Sequence, residues 1–405
     1  MKRIIFSIVM WIYALFQALL FVAVVLPIFL VVIAPLSWLK YLLFRPKKPR
    51  VVWAPVPIIN IHYNVRADRV SGYESDSVVY QTYHIVHKDL FTYNLTKWYQ
   101  NHLTSFLVPL GTFLWASWRY DLFNFFYIGG FLYPNPLIKF FEYPLLRLAG
   151  KKIIVYPYGA DVRLEDITRA LGKYHCYSFH PKGYSERPAW IVRADIKAAA
   201  LWANLMVSMG DMIEYTPGSR NDVFYWPIDT DAWTPQYPDP KKKAVTIVHA
   251  PNNRIVKGSD YLIDIVKRLK KEGYPVELDL VEKMPNEVAK QHYAKADIFA
   301  EQFLIGWHGF TAIEAMALGK PVLCYIRKKS YLPKGINCPI VNTNPDTLYE
   351  TLKNLITDGA LREKLGRQGR EFAEKFYSLK AGGKRLAKIY REVWGGDVAS
   401  VRGKD

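Results

Sequence analysis

Beyond residue 50 the chain alternates short apolar runs with stretches whose apolar residues recur at helical spacing. The strand-like runs begin at Val51 and cover 78–85, 122–128, 152–156, 205–209, 244–249, 276–281, 296–300, 321–326 and 339–341. The helix-like stretches are 94–118, 136–149, 185–203, 259–271, 287–296, 309–318 and 347–393, the last with breaks near Gly359 and Ser378. Such alternation is typical of α/β folds with a doubly wound parallel sheet.

The first 45 residues follow a different pattern. Ile4 to Leu39 is a run of 36 residues without a charged side chain. As one helix it would span ~54 Å, which exceeds the ~30 Å hydrocarbon core of a bilayer and the apolar core of a signal peptide. Two interpretations remain open. One is a single long membrane span, tilted or kinked, with its excess length in the interface; the other is a hairpin that turns near Pro27 and leaves by the face it entered.

The charge distribution supports attachment to a membrane. The chain carries a net charge of +18, and its first 50 residues supply 7 basic side chains and no acidic one. The heavier charge follows the apolar run, at Lys40 and over 45–50, which predicts that the rest of the chain lies in the cytoplasm, next to anionic lipid headgroups. No nucleic-acid-binding motif accompanies the basic charge, so we expect no nucleic-acid partner.

These patterns predict a division of the chain into five parts. They are a membrane-anchoring segment (1–45), a first α/β domain (46–235), a proline- and lysine-rich linker (236–243), a second α/β domain (244–395) and a frayed tail (396–405). Three cysteines form no disulfide framework, which fits a reducing compartment. His175, Cys176 and His180 lack a fourth ligand, so we expect no metal site there.

Candidate chemistry centres on 306–322, which reads as a glycine turn, a helix and a Gly-Lys-Pro stop between two strands. The first N–H groups of a helix at the end of a parallel strand are unpaired and favour an anion. One turn further on, Glu314 is an acceptor suited to sugar hydroxyls. A diphosphate at the turn and a ribose at Glu314 would form a nucleotide-sugar pocket; the alternative is an ordinary crossover with Glu314 in solvent.

The segment from Glu314 to Val322 resembles the signature of retaining glycosyltransferases of the two-Rossmann-domain (GT-B) type, in the broad family-four group. The resemblance implies two Rossmann-like domains facing a cleft and a ribose-binding role for Glu314. The family's preceding glutamate, which contacts the donor sugar, should fall at Gly306 and is absent; His308 and Glu301 are unranked candidates for its role.

Two further segments carry the resemblance, 226–235 at the end of the first domain and 245–258 at the start of the second. Lys257 matches the family's lysine, whereas its partner arginine is replaced by Asn252, with Arg254 close by. The resemblance implies that the donor is held by the following residues: Arg254, Lys257, His308, Gly309, Phe310, Thr311 and Glu314.

Two loops of the first domain resemble cleft-facing loops of the family. They supply Gly129 and Gly130, and then Tyr158, Asp161 and Arg163 in a variant of His-Gly-Ser-Asp-x-Arg. A plain turn and a charged pair that closes its own loop are the alternatives. Lys257, Glu314 and Asp161 are the expected catalytic residues. The resemblance implies no metal and no cofactor beyond the nucleotide-diphosphate sugar as co-substrate.

These observations together predict a metal-independent retaining glycosyltransferase at the cytoplasmic face of a membrane. It would move a sugar from a nucleotide-diphosphate donor to a lipid-linked acceptor. The absent glutamate, the absent arginine and Tyr158 in place of histidine leave open a catalytically inactive membrane scaffold of the same fold. A 2-epimerase is a weaker alternative, because the apolar segment argues against a soluble metabolic role.

Overall fold

The computed structural model describes residues 2–44, 46–82, 88–177, 187–222 and 226–395. Arg45, His180, the ends of the predicted elements 78–85 and 185–203, and the predicted frayed tail 396–405 lie outside the described residues.

Among the described residues, the first sheet contains six parallel strands. They are β1 (Val51–Trp53), β2 (Ser75–Val79), β3 (Tyr93–Asn94), β4 (Leu122–Phe126), β5 (Lys152–Tyr156) and β6 (Leu205–Met206). Their spatial order is β3-β2-β1-β4-β5-β6, with every neighbouring pair parallel. This is a Rossmann order, and its switch point places a crevice at the carboxyl ends of β1 and β4.

The second sheet lies within the described range 226–395 and contains five parallel strands. They are β7 (Val245–His249), β8 (Val276–Leu280), β9 (Ile298–Gln302), β10 (Val322–Cys324) and β11 (Val341–Asn342). Their order is β11-β10-β9-β7-β8, so the switch point lies between β7 and β9. The carboxyl ends of β7 and β9 are therefore the expected ligand edge of this sheet.

Helices cover both sheets and precede the first. In chain order they are α1 (Lys2–Leu20), α2 (Leu26–Ile28), α3 (Ala34–Phe44), α4 (Ile59–Val70), α5 (Thr96–Tyr99), α6 (Leu107–Arg119), α7 (Glu142–Leu148), α8 (Glu165–Ala170), α9 (Ala189–Trp202), α10 (Arg254–Lys257), α11 (Ser259–Lys271), α12 (Asn286–Lys295), α13 (Phe310–Ala317), α14 (Leu348–Thr357), α15 (Gly359–Phe372) and α16 (Leu379–Gly395).

Helix α4 was not predicted, because its buried face mixes polar side chains with apolar ones. Asn60, Asn64 and Asp68 recur at a spacing of four residues and are all buried. Asp68 accepts hydrogen bonds from Trp53 Nε1 at 2.9 Å and from Tyr390 Oη of α16 at 3.2 Å. Burial raises the pKa of this carboxyl group to about 7. The last helix of the chain thus packs on the first domain through α4.

The N-terminal segment forms one helix rather than a hairpin. π-Helical turns at Phe21–Val25 and Phe29–Ile33 join α1, α2 and α3, so the helix runs on through Pro27 and Pro35. In each turn an N–H donates to the carbonyl five residues back, Leu26 to Phe21 and Ala34 to Phe29. Such widened turns let the helix continue where Pro27 and Pro35 supply no backbone N–H group. Within 2–44, therefore, the chain does not turn back at Pro27. We call α1–α3 with these turns the N-terminal helix.

The N-terminal helix is docked along the first domain. Its buried stripe consists of Ala14, Gln17, Phe21, Val25, Phe29, Ala34 and Ser37. Asn135 Nδ2 donates to Ala14 O at 2.9 Å and to Gln17 Oε1 at 2.8 Å, and Gln17 Nε2 donates to Phe106 O at 2.7 Å. Near the other end Trp38 Nε1 donates to Leu148 O at 2.7 Å. The contacts from Gln17 to Trp38 extend over ~32 Å of helix.

The opposite face of this helix is apolar and exposed. Ile8, Ile12, Leu15, Leu19 and Val22 are among its exposed side chains. The segment Ile8–Phe44 has the length and the apolar composition of a membrane span. A helix with one buried face and one exposed apolar face is, however, also typical of a helix that lies in the membrane interface.

The buried side-chain amide of Gln17 should stabilise the N-terminal helix on the first domain. Replacement by leucine (Gln17→Leu) leaves Phe106 O without its donor and removes one acceptor from Asn135, which should cost about 1–3 kcal/mol. We expect a lower midpoint of urea unfolding for the detergent-solubilised protein, followed by tryptophan fluorescence. Leu15→Ala, on the exposed face, is the matched control. Equal midpoints for Gln17→Leu and the wild type would contradict the docking described here.

Candidate active site

The ligand edge of the second sheet is shaped by the short helix that follows β7. Asn253 caps α10 by accepting hydrogen bonds from the N–H groups of Ile255 and Val256 at 3.1 and 3.2 Å. Gly258 has a φ of +73°, a left-handed conformation that lets the chain turn sharply from α10 into α11. The turn fixes Lys257 at the carboxyl end of β7.

Lys257 forms a buried ion pair with Glu301 of β9. The same carboxylate accepts a hydrogen bond from Gly309 N at 3.0 Å and from Thr311 Oγ1 at 3.3 Å. Although burial opposes ionisation, the Lys257 ammonium and the Gly309 N–H hold the pKa of Glu301 below its usual value. The pair therefore joins the ends of β7 and β9 to the turn that starts α13. An ammonium has three donors, so Lys257 retains donors beyond the one used by Glu301.

Glu314 lies one turn into α13, and its side chain faces the first domain. The residue is 6% exposed, and its carboxylate has no hydrogen-bond partner among the described residues. Burial raises its pKa to about 7, partly opposed by Lys290. Burial and the charge of Glu314 in turn raise the pKa of Tyr63, on α4, to about 12. A buried carboxylate without a partner is costly in free energy, and such a group is typical of a ligand-binding site.

The turn before α13 also brings the two domains into contact. Tyr63 of α4 stacks on Phe310, with ring centroids 5.6 Å apart. Gly210, which follows β6, has its backbone against the ring of Trp307, where a Cβ would lie 2.2 Å from the indole. His308 is buried, and its Nε2 shares a hydrogen bond with Tyr377 Oη at 3.0 Å. His308 thus shapes the turn from inside the protein, and its role as a donor ligand stays a prediction.

The position of the missing glutamate is occupied by a different arrangement. Gly306 has a φ of +95°, and a Cβ there would lie 2.6 Å from the guanidinium carbon of Arg327. Arg327 Nη2 donates to Ile305 O at 2.9 Å. A glutamate at Gly306 would therefore need both a strained backbone and a displaced arginine. Gly306 has no side chain, and the carboxylate of Glu301, the other candidate for the role of the missing glutamate, is committed to Lys257 and Gly309. Neither position therefore offers a free carboxylate.

The glycine loop after β4 closes on a buried carboxylate of its own domain. A Cβ on Gly130 would lie 2.4 Å from Glu142 Oε1, and Glu142 accepts hydrogen bonds from Phe131 N and Leu132 N at 2.7 and 2.9 Å. Burial raises the pKa of Glu142 to about 8. The backbone at Gly130 thus lies against the Glu142 carboxylate. Gly129 belongs to the same turn and has a φ of +121°.

The residues expected to face the cleft in the second loop are bonded within the first domain. Asp161 is fully buried and accepts hydrogen bonds from Tyr158 N at 3.0 Å, Gly159 N at 2.9 Å and Tyr127 N at 3.3 Å. Burial raises its pKa to about 6 while these N–H groups lower it. The carboxylate of Asp161 therefore holds its own loop in this structure, and its catalytic role stays a prediction.

Arg163 and Arg254 also have carboxylate partners. Arg163 makes a bidentate contact with Asp211: Nε donates to Oδ2 and Nη2 donates to Oδ1, each at 2.7 Å. Arg254 makes a similar contact with Glu282 at 2.7 and 2.5 Å, on a half-exposed side chain. An exposed pair of this kind contributes little to stability, so Arg254 can change partner for a phosphate at small cost. Arg163 is buried and holds the base of the first-domain loop.

The structure thus brings together Lys257, Gly309 and Thr311 around Glu301, with Phe310 and Glu314 on the following turn. Sequence reasoning missed Tyr63, Glu142 and Asp211 as partners. Their positions in the sequence carry no motif, and only the strand order places them beside the residues that were predicted. Among the described residues there is no cluster of three or more His, Cys, Asp or Glu side chains that could hold a metal ion.

Known proteins resemble this chain in fold. No protein-family model matches the sequence, and no curated protein matches it. Anabaena HepE in complex with UDP and glucose aligns over 84% of this chain and 98% of that chain, with 12% identity and a TM-score of 0.52. The sucrose-phosphate synthase of Thermosynechococcus elongatus aligns over 86% and 100%, with 13% identity and a TM-score of 0.54. The lipopolysaccharide outer core galactosyltransferase WaaB in its apo form aligns over 85% and 99%, with 12% identity and a TM-score of 0.51. At these identities the likeness shows the fold: two parallel-sheet α/β domains of the GT-B type, as predicted.

The raised pKa of Glu314 predicts a pH dependence of donor binding. The group is protonated below pH ~7 and ionised above it, and only the carboxylate accepts hydrogen bonds from both hydroxyls of a ribose. The affinity for an intact nucleotide-diphosphate sugar should therefore rise about tenfold between pH 6 and pH 8. Glu314→Gln should remove this dependence, as measured by calorimetry. A wild-type affinity that is constant over this range would contradict the assignment.

Proposed function

We propose that this chain is a glycosyltransferase that uses a nucleotide-diphosphate sugar as donor. The observation that carries the proposal is the buried, unpartnered carboxylate of Glu314, one turn beyond the N–H groups that begin α13. The same turn is tied to Lys257 through Glu301. The Glu314 carboxylate is suited to the ribose hydroxyls, and the helix start and the ammonium are suited to the diphosphate. The GT-B fold, with the cleft at the carboxyl ends of both sheets, supports this placement.

The chemistry required of these residues is stabilisation of a leaving group. When the bond from the anomeric carbon to the diphosphate oxygen breaks, the bonding electron pair moves to the diphosphate. Lys257 and the N–H groups of Phe310 and Thr311 would stabilise that charge without reorganising. The resemblance to retaining enzymes leads us to propose retention of configuration without a metal ion. The acceptor hydroxyl attacks the face from which the diphosphate leaves and gives its proton to the departing diphosphate. We assign no protein nucleophile.

We propose a lipid-linked acceptor at the cytoplasmic face of a membrane. Hydrogen bonds tie the N-terminal helix to the first domain from Gln17 to Trp38, while its opposite face is apolar and exposed. This docked geometry favours a helix that lies in the interface with its exposed face in the lipid. The basic residues at 45–50 and a net charge of +18 suit anionic headgroups on the cytoplasmic side.

A membrane scaffold without catalysis is the second candidate. It is favoured by one observation: the guanidinium of Arg327 lies where the family's first glutamate would project from position 306. A scaffold has no need of a buried, unpartnered carboxylate at Glu314, which is the reason we prefer the enzyme.

Donor binding is the direct test of the proposal. A panel of UDP-, GDP- and dTDP-sugars should include one that raises the melting temperature of the detergent-solubilised protein. Glu314→Ala should weaken that donor about 10- to 100-fold, because a hydrogen bond to a charged group contributes about 1.5–3 kcal/mol. Glu287→Ala, an exposed glutamate on α12, is the matched control. Folded protein that responds to no donor would favour the scaffold.

The rate effect of Lys257 separates binding from catalysis. Loss of one preorganised donor to the leaving group should lower turnover of the donor about 10²- to 10³-fold. We expect this for Lys257→Ala with membrane lipid extract as the acceptor source, and partial recovery for Lys257→Arg, which keeps the pairing with Glu301. Lys267→Ala, an exposed lysine on α11, controls for loss of charge. Near-normal turnover in folded Lys257→Ala would exclude the assigned role.

A further inference from the structure

A cavity of about 680 Å³ lies beside α6 in the first domain, away from the candidate active site. It is lined mainly by apolar side chains from β3, α5 and α6, namely Tyr93, Leu95, Trp98, Thr104, Leu107, Val108, Gly111, Thr112, Trp115 and Arg119. Its size lies within the range of small-molecule sites. We call it the α6 groove.

Two polar side chains of the α6 groove, Thr104 and Arg119, are already engaged by the protein. Thr104 Oγ1 donates to Trp98 O at 2.6 Å. The charged residue of the lining, Arg119, contacts Tyr120 Oη at 3.3 Å and Asp76 at 3.5 Å. A peptide backbone in the groove would need hydrogen-bond partners for its own N–H and C=O groups. A hydrocarbon chain needs none, so the lining favours a hydrocarbon occupant.

Gly111 lies in the wall of the α6 groove and is exposed. A Cβ built at this position would meet no heavy atom within 4 Å. An alanine here would therefore occupy little of the groove, whereas a leucine would project into it without displacing protein atoms.

The rim of the α6 groove is continuous with the docked N-terminal helix. Phe106, which precedes α6, receives the hydrogen bond of Gln17 and packs edge-on against Phe16 with ring centroids 5.7 Å apart. At the rim itself Trp98, Leu103 and Leu107 are 58%, 80% and 47% exposed. These side chains and the exposed face of the helix form one apolar surface. A lipid chain can therefore pass from a bilayer on this surface into the groove without crossing water.

The groove also leads toward the cleft. Helix α6 follows the carboxyl end of β3 and precedes the amino end of β4, so it runs from the cleft edge of the sheet to the opposite edge. From Leu107 to Arg119 the groove follows ~18 Å of helix. At the cleft end Tyr99 stacks on Tyr80, which stacks on Tyr133 in the loop after β4. A chain in the groove would thus keep its polar head near the carboxyl ends of the strands.

We propose that the α6 groove binds the hydrocarbon chain of the lipid-linked acceptor, an inference that rests on the proposed glycosyltransferase function. The chain lies in the groove beside Gly111, the exposed face of the N-terminal helix lies in the surrounding lipid, and the polar head of the acceptor reaches the cleft.

The test uses full-length protein in nanodiscs of phosphatidylcholine and phosphatidylglycerol that contain phosphatidylglycerol with a diazirine at the end of one acyl chain. Photolabelling of the wild type should appear on α6 around Gly111 and on the exposed face of the N-terminal helix. Gly111→Leu should lower labelling of α6 about tenfold and leave labelling at Ile12 and Leu15 unchanged. Gly111→Ala, which fills little of the groove, should label like the wild type, and Gly395→Leu, a second site where a Cβ meets nothing within 4 Å, is the matched control.

The outcomes separate this inference from the proposed function. Donor-induced stabilisation should persist in Gly111→Leu, while sugar transfer to membrane lipid extract should fall about tenfold. Unchanged α6 labelling in Gly111→Leu would overturn the groove assignment, whatever the donor results. Wild-type protein that dimerises through α6, with the dimer lost in Gly111→Leu, would assign the groove to a second copy and would also overturn it. Absence of donor binding with intact groove labelling would instead overturn the proposed function alone.

Discussion

The buried ion pair between Lys257 and Glu301 is the interaction on which the candidate site depends. A carboxylate with no exposed surface is tolerated only when it is paired and hydrogen-bonded, and Glu301 has both an ammonium and the Gly309 N–H. These contacts tie the end of β7 to the end of β9 and fix where α13 begins. Because an α-helix is rigid over one turn, fixing its start also fixes Glu314. The geometry of the site therefore follows from one pair at the switch point of the second sheet.

The two domains are joined by packing on both sides of that site. Phe310 stacks on Tyr63, and Trp307 fills the space that glycine leaves at position 210. On the far side α16 returns to α4, where Tyr390 bonds both Asp68 and Asn124 of the first domain. The first domain in turn carries the N-terminal helix as part of its core. The exposed apolar face, the cleft and the second sheet are thus connected through contacts rather than through the linker alone.

The second domain was predicted well from the sequence, because its strands are apolar and its helices amphipathic. The interval 259–271 was predicted as a helix with the bounds of α11, and the turn at Gly309 with its helix was placed correctly. Helix α4 was missed because the face it buries mixes polar with apolar side chains, and burial of polar groups depends on partners elsewhere in the chain. Asp161 and Gly130 were assigned to the cleft on motif alone. In the structure Asp161 bonds its own loop and Gly130 packs on Glu142, and their roles at the cleft stay predictions. The prolines left a kinked span and a hairpin both open, and the π-helical turns of the structure keep the N-terminal helix continuous.

The central claim is that Glu314 contacts the ribose of a donor and Lys257 its diphosphate. The most direct measurement compares two ligands by calorimetry, the preferred nucleoside diphosphate and the corresponding nucleoside, on wild type, Glu314→Ala and Lys257→Ala. Our account predicts that loss of Glu314 weakens both ligands by the same factor, whereas loss of Lys257 weakens the diphosphate by a larger factor than the nucleoside. Folded variants that bind both ligands as tightly as the wild type would contradict it.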